Sequence, residues 1–414
     1  MLCSRDALIF VEVIIKDASM GKIVVIVVLS HLLLSRSYAQ AINFKQGEAL
    51  ASTYFVELPY EKIEGKLVVA IELGGKKRKF LLDTGAPTAI TEPVYFEVTP
   101  RLLAKEEIRD ISEKKDSLWV VSLPELKVGG LVFANIPTIV IKESPLTTCF
   151  QVEGIIGSNL LRNSIVQFDS RRKTITIASD AKKLNLTNAR KADLTLDKQS
   201  SPVFSVQLGK YIKEMVLFDS GADEFYAMSN DHFQLFKKAK GFEVMATTYG
   251  SNTMGLYGQS EQINMRRLFI PELIVNGVSI RGVKAETSAG PNSRIGAKLL
   301  DFGVLTLDYQ QGNFYFEPYQ EPAQFAETWW NLDPAFVDNK LIVGALWDKA
   351  LKPKIRVGDQ IMGIDGISTE QIELCTLILN SPLRNKSNAV LTLKTSKGDL
   401  KTIQIKKEGS IQNH

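Results

Sequence analysis

Phe80-Leu81-Leu82-Asp83-Thr84-Gly85-Ala86 returns 136 positions later as Val216-Leu217-Phe218-Asp219-Ser220-Gly221-Ala222. In each copy an apolar run delivers one carboxylate into a turn closed by glycine. A lone Asp-Ser/Thr-Gly is most often a loop cap. Two copies in one chain point to a pair of aspartates brought face to face, with chemistry that a single carboxylate lacks.

The duplication extends well beyond these residues. Val69-Ala-Ile-Glu-Leu73-Gly74 answers Phe204-Ser-Val-Gln-Leu208-Gly209, and Pro124-Glu-Leu-Lys-Val128 answers Pro271-Glu-Leu-Ile-Val275. Ile155-Ile156-Gly157-Ser-Asn-Leu-Leu161 answers Arg294-Ile295-Gly296-Ala-Lys-Leu-Leu300. Matched positions lie 135 (Leu73 to Leu208), 136 (Asp83 to Asp219), 139 (Gly157 to Gly296) and 147 (Pro124 to Pro271) residues apart. Solenoid units run roughly 20–50 residues, so these are two domain-sized lobes, over 45–182 and 195–318. The common order of the elements disfavours two unrelated β-sandwiches.

Within each half the pattern is strand-like. Lys66–Leu73 and Val203–Leu208 are short and rich in β-formers, and Gly74-Gly75 and Gly209-Lys210 read as hairpin turns leading into the aspartate strands. Lys173–Ile177 and Asn313–Phe316 alternate and close each half. Helical signals are few: a short segment after each Ile-Gly element, and Asp231 to Lys240.

Bulk properties exclude several classes. A net charge of +4 over 414 residues, with both signs interspersed, gives no nucleic-acid footprint. His31, His232 and His414 are too scattered for a metal site or a histidine-dependent triad, so no metal and no cofactor are expected. Cys149 and Cys375 lie in different domains without ligand spacing, and the expectation is free buried thiols rather than a disulfide. At the N-terminus, Met20-Gly-Lys22, the apolar run Ile23 to Leu34 and Ser37-Tyr38-Ala39 read as a signal peptide over 1–39. Asp6, Glu12 and Asp17 precede it, which suggests that translation begins at Met20. The run of twelve residues is short of the ~20 that span a bilayer. An exported bacterial protein, periplasmic or secreted and without a lasting membrane anchor, is expected.

Two carboxylates about 3 Å apart share one proton and titrate as a pair. The ionised member can deprotonate a water between them while the protonated member donates to a peptide carbonyl. Thr84 and Ser220 are placed to hydrogen-bond across the turns, and Gly85 and Gly221 make the turns tight. These features, with the trailing Ile156-Gly157 and Ile295-Gly296 elements, resemble retropepsin-type aspartic peptidases over roughly residues 50–318. The resemblance implies a mainly β, bilobal unit of two retropepsin-like barrels in one chain. It implies Asp83 and Asp219 as the catalytic dyad, with Thr84, Gly85, Ser220 and Gly221 supporting the turns. Tyr249-Gly250 reads as the substrate-binding flap of the second lobe, and the segment around Leu118-Trp119 as that of the first. Arg294 departs from the pattern, because the family and Ile155 are apolar there. Ala86 and Ala222 stand where pepsin-like enzymes carry a hydroxyl. Losing that hydrogen bond raises the carboxyl pKa and predicts activity at mildly acidic to neutral pH.

After Pro318 the repeat ends. Leu341 to Ala350, followed by Ile355-Arg-Val-Gly358-Asp359-Gln-Ile361-Met-Gly-Ile364-Asp365-Gly366, resembles a bacterial-type PDZ domain, a small α+β fold over 330–408. Gln371 to Leu379 reads as its helix, and Ala389–Lys394 and Thr402–Ile405 as closing strands. Such domains bind extended peptide by strand addition. The segment Asn331 to Lys340, where the carboxylate-binding loop is expected, contains no glycine, a departure from the pattern.

The favoured expectation is an exported aspartic endopeptidase acting on polypeptides, with a PDZ domain that recruits or positions them. The alternative is a catalytically inactive peptide-binding protein on the same folds, which Arg294 favours. A third arrangement pairs the aspartates between two chains. A monomer is preferred over an obligate dimer.

Overall fold

A computed structural model describes residues 42–109, 115–251, 253–255, 258–338 and 340–408. The proposed leader over 1–39, with its start at Met20, lies outside the described residues. The chain is mainly β.

The strands that carry the first turn form where the alternation is cleanest. β1 (Phe55–Ile63) and β2 (Lys66–Leu73) pair antiparallel, and β2 pairs with β3 (Lys76–Asp83) in the register Leu73↔Lys76 to Val68↔Leu81. The β2–β3 hairpin turns on Gly74 and Gly75, whose φ values of 62° and 73° are open to glycine without strain. Beyond Asp83 come β4 (Ala89–Thr91), β5 (Arg101–Arg109), β6 (Lys115–Val128) and β7 (Leu131–Ile141). The short helix α1 (Pro145–Phe150) follows, then β8 (Gly154–Gly157), β9 (Ile165–Asp169) and β10 (Thr174–Ala178). β3 and β8 lie parallel with Asp83 opposite Gly157, so the Asp83 strand lies between β2 and β8.

The second half repeats this wiring. After β11 (Arg190–Leu196), the strands β12 (Pro202–Leu208) and β13 (Ile212–Asp219) form the hairpin ending at Asp219. β14 (Tyr226–Ser229), β15 (Glu243–Gly250), β16 (Ile263–Val275), β17 (Val278–Ser288) and β18 (Arg294–Gly296) follow. β13 and β18 are parallel with Asp219 opposite Gly296. β4 lies parallel to β7 and antiparallel to β8, and β14 has the same relation to β17 and β18. A helix at Asn230–Phe236 overlaps the expected 231–240 segment and is shorter than it.

β19 (Gly303–Asp308) and β20 (Asn313–Pro318) complete a sheet shared by both halves, in the order β1-β10-β9-β19-β20-β11. β9 meets β19 antiparallel at its centre, and one apolar core runs beneath. Phe168 against Phe218 and Phe204 against Phe314 are among its ring contacts, with centroids 5.8 and 4.1 Å apart. The two aspartate strands therefore share one base.

The C-terminal residues build a separate sheet around their own core of Leu332, Val343, Ile361, Leu391 and Ile405. Its strands are Trp329–Trp330, β21 (Leu332–Val337), β22 (Lys340–Leu346), β23 (Gln360–Ile364), β24 (Asn388–Lys394) and β25 (Leu400–Glu408). The expected helix is shorter than read, α2 (Leu374–Leu379), with a 3-10 turn at Thr369–Gln371 before it.

One sequence expectation is overturned. Cys149 and Cys375 are not free thiols. They form a disulfide across 226 positions, with Cα atoms 4.9 Å apart. Local spacing carried no sign of it, because the pairing exists only once α1 and α2 are docked. An export route into an oxidising compartment would favour such a bond.

Candidate active site

Asp83 and Asp219 are the last residues of β3 and β13, and the chain turns sharply after each. The Gly85 amide donates to Asp83 Oδ1 at 2.9 Å, and the Gly221 amide donates to Asp219 Oδ1 at the same distance. The turns then clasp each other. Thr84 N–H donates to Ser220 Oγ and Ser220 N–H donates to Thr84 Oγ1, both at 3.0 Å. The hydroxyls reach on, Thr84 to the Phe218 carbonyl at 2.7 Å and Ser220 to the Leu82 carbonyl at 2.9 Å. All four bonds are buried, so each is expensive to leave unmade.

The glycines are required by proximity. A Cβ on Gly85 would stand 2.6 Å from Asp219 Cγ, and one on Gly221 would stand 2.3 Å from Asp83 Cγ. Each carboxyl lies over the other turn's glycine. The two carboxyls are thereby brought together between the turns. Burial, and next the Asp219 charge, push the Asp83 carboxyl well above the ordinary carboxylate range, against the Gly85 amide and Lys66, which pull it down.

The layer behind the turns differs between the halves. Behind Asp83, the Ser158 amide donates to the Ala86 carbonyl at 3.1 Å and the Ser158 hydroxyl to the Thr84 carbonyl at 2.7 Å. Asn159 Oδ1 accepts from Thr88 N–H and Thr88 Oγ1 at 2.7 and 2.8 Å. Behind Asp219, the Ala297 amide likewise donates to Ala222 O at 2.8 Å, but charges take over from there. Arg294 is buried, 6 % exposed, and its guanidinium Nε donates to Glu224. Burial alone would lower the Arg294 pKa; Glu224 and Asp219 outweigh it and raise it.

Lys66 was not singled out from sequence, yet it reaches across from β2 to the second turn. Its ammonium donates to Gly221 O at 2.5 Å and stands 3.6 Å from Asp223. Burial works to lower its pKa, but Asp223, Glu224 and the aspartate pair raise it, so it stays charged beside them. The acidic Asp223-Glu224 directly after the second turn, where the first has Pro87-Thr88, was the only available signal.

The carboxyls open onto a cavity of about 730 Å³. The flap expectation falls short of it. Gly250 ends β15 paired with Ile263 and packs against the Gly344 carbonyl, where a Cβ would approach to 2.2 Å. Tyr249 is 58 % exposed. Thr253 and Gly255, farther along the same connection, are the ones that line the cavity. In the first half Leu118 is buried and Trp119 partly exposed, and neither lines it; residues 110–114, between β5 and β6, lie outside the described residues. Among the described residues no group of three or more His, Cys, Asp or Glu side chains is arranged to hold a metal.

A family model described as aspartyl protease matches residues 69–160, which include the first turn and β8 but not the second turn. No curated protein matches the chain. Among the similar solved structures are three. Basic 7S globulin from soybean has 11% identity and TM-score 0.36, covering 65% of this chain and 96% of its own. Conglutin gamma from lupine seeds has 13% identity and TM-score 0.38, with the same two coverages. An aspartic proteinase from Irpex lacteus has 12% identity and TM-score 0.38, covering 65% of this chain and 98% of its own.

Proposed function

We propose that this chain is an aspartic endopeptidase in which Asp83 and Asp219 hydrolyse peptide bonds through a shared water. The observation that carries this is the reciprocal clasp of Thr84 and Ser220, which holds two carboxyls close together over opposed glycines. Burial and its neighbour's charge raise the Asp83 carboxyl, so in this reading Asp83 holds the shared proton and Asp219 serves as the base. Asp219 takes a proton from the water as its oxygen attacks the carbonyl carbon, and Asp83 gives its proton to the carbonyl oxygen. The resulting gem-diol collapses as a proton passes to the leaving amine. Lys66 supplies positive charge that tempers the paired carboxyls.

In this reading residues 45–182 and 195–318 are the two lobes of one peptidase unit. Residues 330–408 are a PDZ-type domain that positions polypeptide, and the protein is exported and monomeric. Arg294 favours a second reading, a non-catalytic peptide-binding protein. Its pairing with Glu224 offsets much of its charge and makes catalysis the better reading. The test is cleavage of a peptide library from acidic to neutral pH by the purified protein and by Asp83→Asn and Asp219→Asn. Turnover in the parent and its loss in both variants is the expected result. Turnover that survives both substitutions rejects the dyad.

A further inference from the structure

The cavity in front of the aspartates has unlike walls. Arg267, Lys284, Glu286 and Arg294 give the second-half side a charged face. Away from Glu64 and Lys66, the first-half side is apolar: Ile139, Leu146, Phe150 and Ile155, and with them Ile378 from α2 of the C-terminal domain. These residues belong to one apolar cluster or pack on it. The cluster is flanked by Ala86, next to the first active-site glycine, and by Ile378 and Leu379. A side chain 295 positions beyond Asp83 thus completes the wall beside it.

Helix α2 has little of its own to fix it there. It is six residues long, with no fully buried side chain and no side-chain cap. The tie is covalent, from Cys375 in α2 to Cys149 in α1. Phe150 follows Cys149 directly, Leu146 precedes it by three, and Ile378 follows Cys375 by three, a spacing that keeps residues on neighbouring faces of a helix. The disulfide therefore pins the two helices at the turns that carry the lining. Arg384 adds an ion pair to Glu64 at the cavity edge. A blocking domain would press its own groups onto the carboxyls. Here the groups that set the Asp83 charge are Asp219, Gly85 and Lys66, all from the two halves, and the cavity keeps its 730 Å³.

We propose that Ile378 and the Cys149–Cys375 bond create a composite apolar subsite through which the C-terminal domain selects substrate. Its ligand is an extended polypeptide with a bulky aliphatic or aromatic side chain beside the scissile bond. The assignment rests on the peptidase reading of the cleft. The test uses the full oxidised chain and unstructured decapeptides that differ only by Ala, Leu or Phe at one position flanking the cleaved bond. A pocket of this kind separates such side chains by about tenfold or more in kcat/KM. Ile378→Ala, and separately Cys149→Ser with Cys375→Ser, should remove most of that preference. A preference unchanged in both overturns the subsite. Ile378→Ala keeps the disulfide and remains decisive if the serine pair fails to fold, which a melting curve reports. Calorimetric binding of the same peptides to the Asp83→Asn protein separates the two ideas. Preference for Leu over Ala there, lost on adding Ile378→Ala, supports the subsite even if the parent cleaves none of the peptides. Equal affinity for all three peptides overturns the subsite and leaves hydrolysis standing.

Discussion

Asp83 and Asp219 are held by the same hydrogen bonds and backed by different chemistry. Opposite Leu81 on the parallel neighbour stands Ile155, and opposite Leu217 stands Arg294. Asn159, which accepts two bonds from Thr88 in the first half, is answered in the second by Lys298 paired with Glu327. Farther back, buried Glu214 accepts from Tyr226 and pairs with His232, again in the second half. The turns cannot differ, because each glycine leaves room for the other's carboxyl. The layer behind them can, because it only has to satisfy its own polar groups. Geometry is thus symmetric at this site and charge is not.

The largest effects should respect the symmetry. Asp83→Asn and Asp219→Asn should each lower kcat by about 10³-fold, the scale of positioned acid–base catalysis. A loss confined to one of them breaks the paired mechanism. Next come the clasp hydroxyls. Thr84→Ala leaves the Ser220 amide and the Phe218 carbonyl without their buried partner, and Ser220→Ala does the same to Thr84 N–H and Leu82 O. Each should cost about 2–6 kcal/mol in chemical denaturation, at ~1–3 kcal/mol for each of the two orphaned groups. Costs that differ widely would show that the clasp is not reciprocal in energy.

A smaller effect separates folding from catalysis. The Asp83 carboxyl binds its proton more tightly folded than unfolded, since burial and Asp219 raise its pKa. Below the unfolded-state value both states are protonated and the group contributes nothing. Above it the native state holds the extra proton, so stability falls as pH rises toward the raised value and stays reduced beyond it. Asp83→Asn removes that cost. The inactive variant should melt higher than the parent at neutral pH, with the gap closing in acid. A gap that widens in acid contradicts the assigned proton.

Much of this arrangement was legible in sequence because it leaves local marks. Alternation broken by glycine turns announced the hairpins at Gly74-Gly75 and at Gly209-Lys210, and the repeated Asp-x-Gly announced both turns. What escaped depends on distant partners. Cys149 and Cys375 share no spacing rule, and their bond follows from the docking of two short helices. Lys66 heads a strand and reads as a solvated end until the other half supplies Asp223 and the Gly221 carbonyl. Gly250 looked like a hairpin tip, whereas its missing side chain makes room for Gly344. The reach to the cavity falls to Thr253 and Gly255. A glycine reports that something is close without saying what.

The finest test acts on the asymmetry itself. The Arg294 cation and the Asp219 carboxyl attract each other, and Glu224 offsets part of that cation. Removing the cation with Arg294→Gln makes the first ionisation of the pair harder. The acidic limb of the pH–rate profile, which needs one carboxylate, should then move to higher pH. Glu224→Gln leaves the cation less compensated, and the same limb should move to lower pH. Damage to packing alone has no reason to give shifts of opposite sign. Opposed shifts would show that the charged layer sets the working pH while the symmetric turns set the geometry. Two shifts in the same direction, or none, would confine Arg294 and Glu224 to holding the second half together.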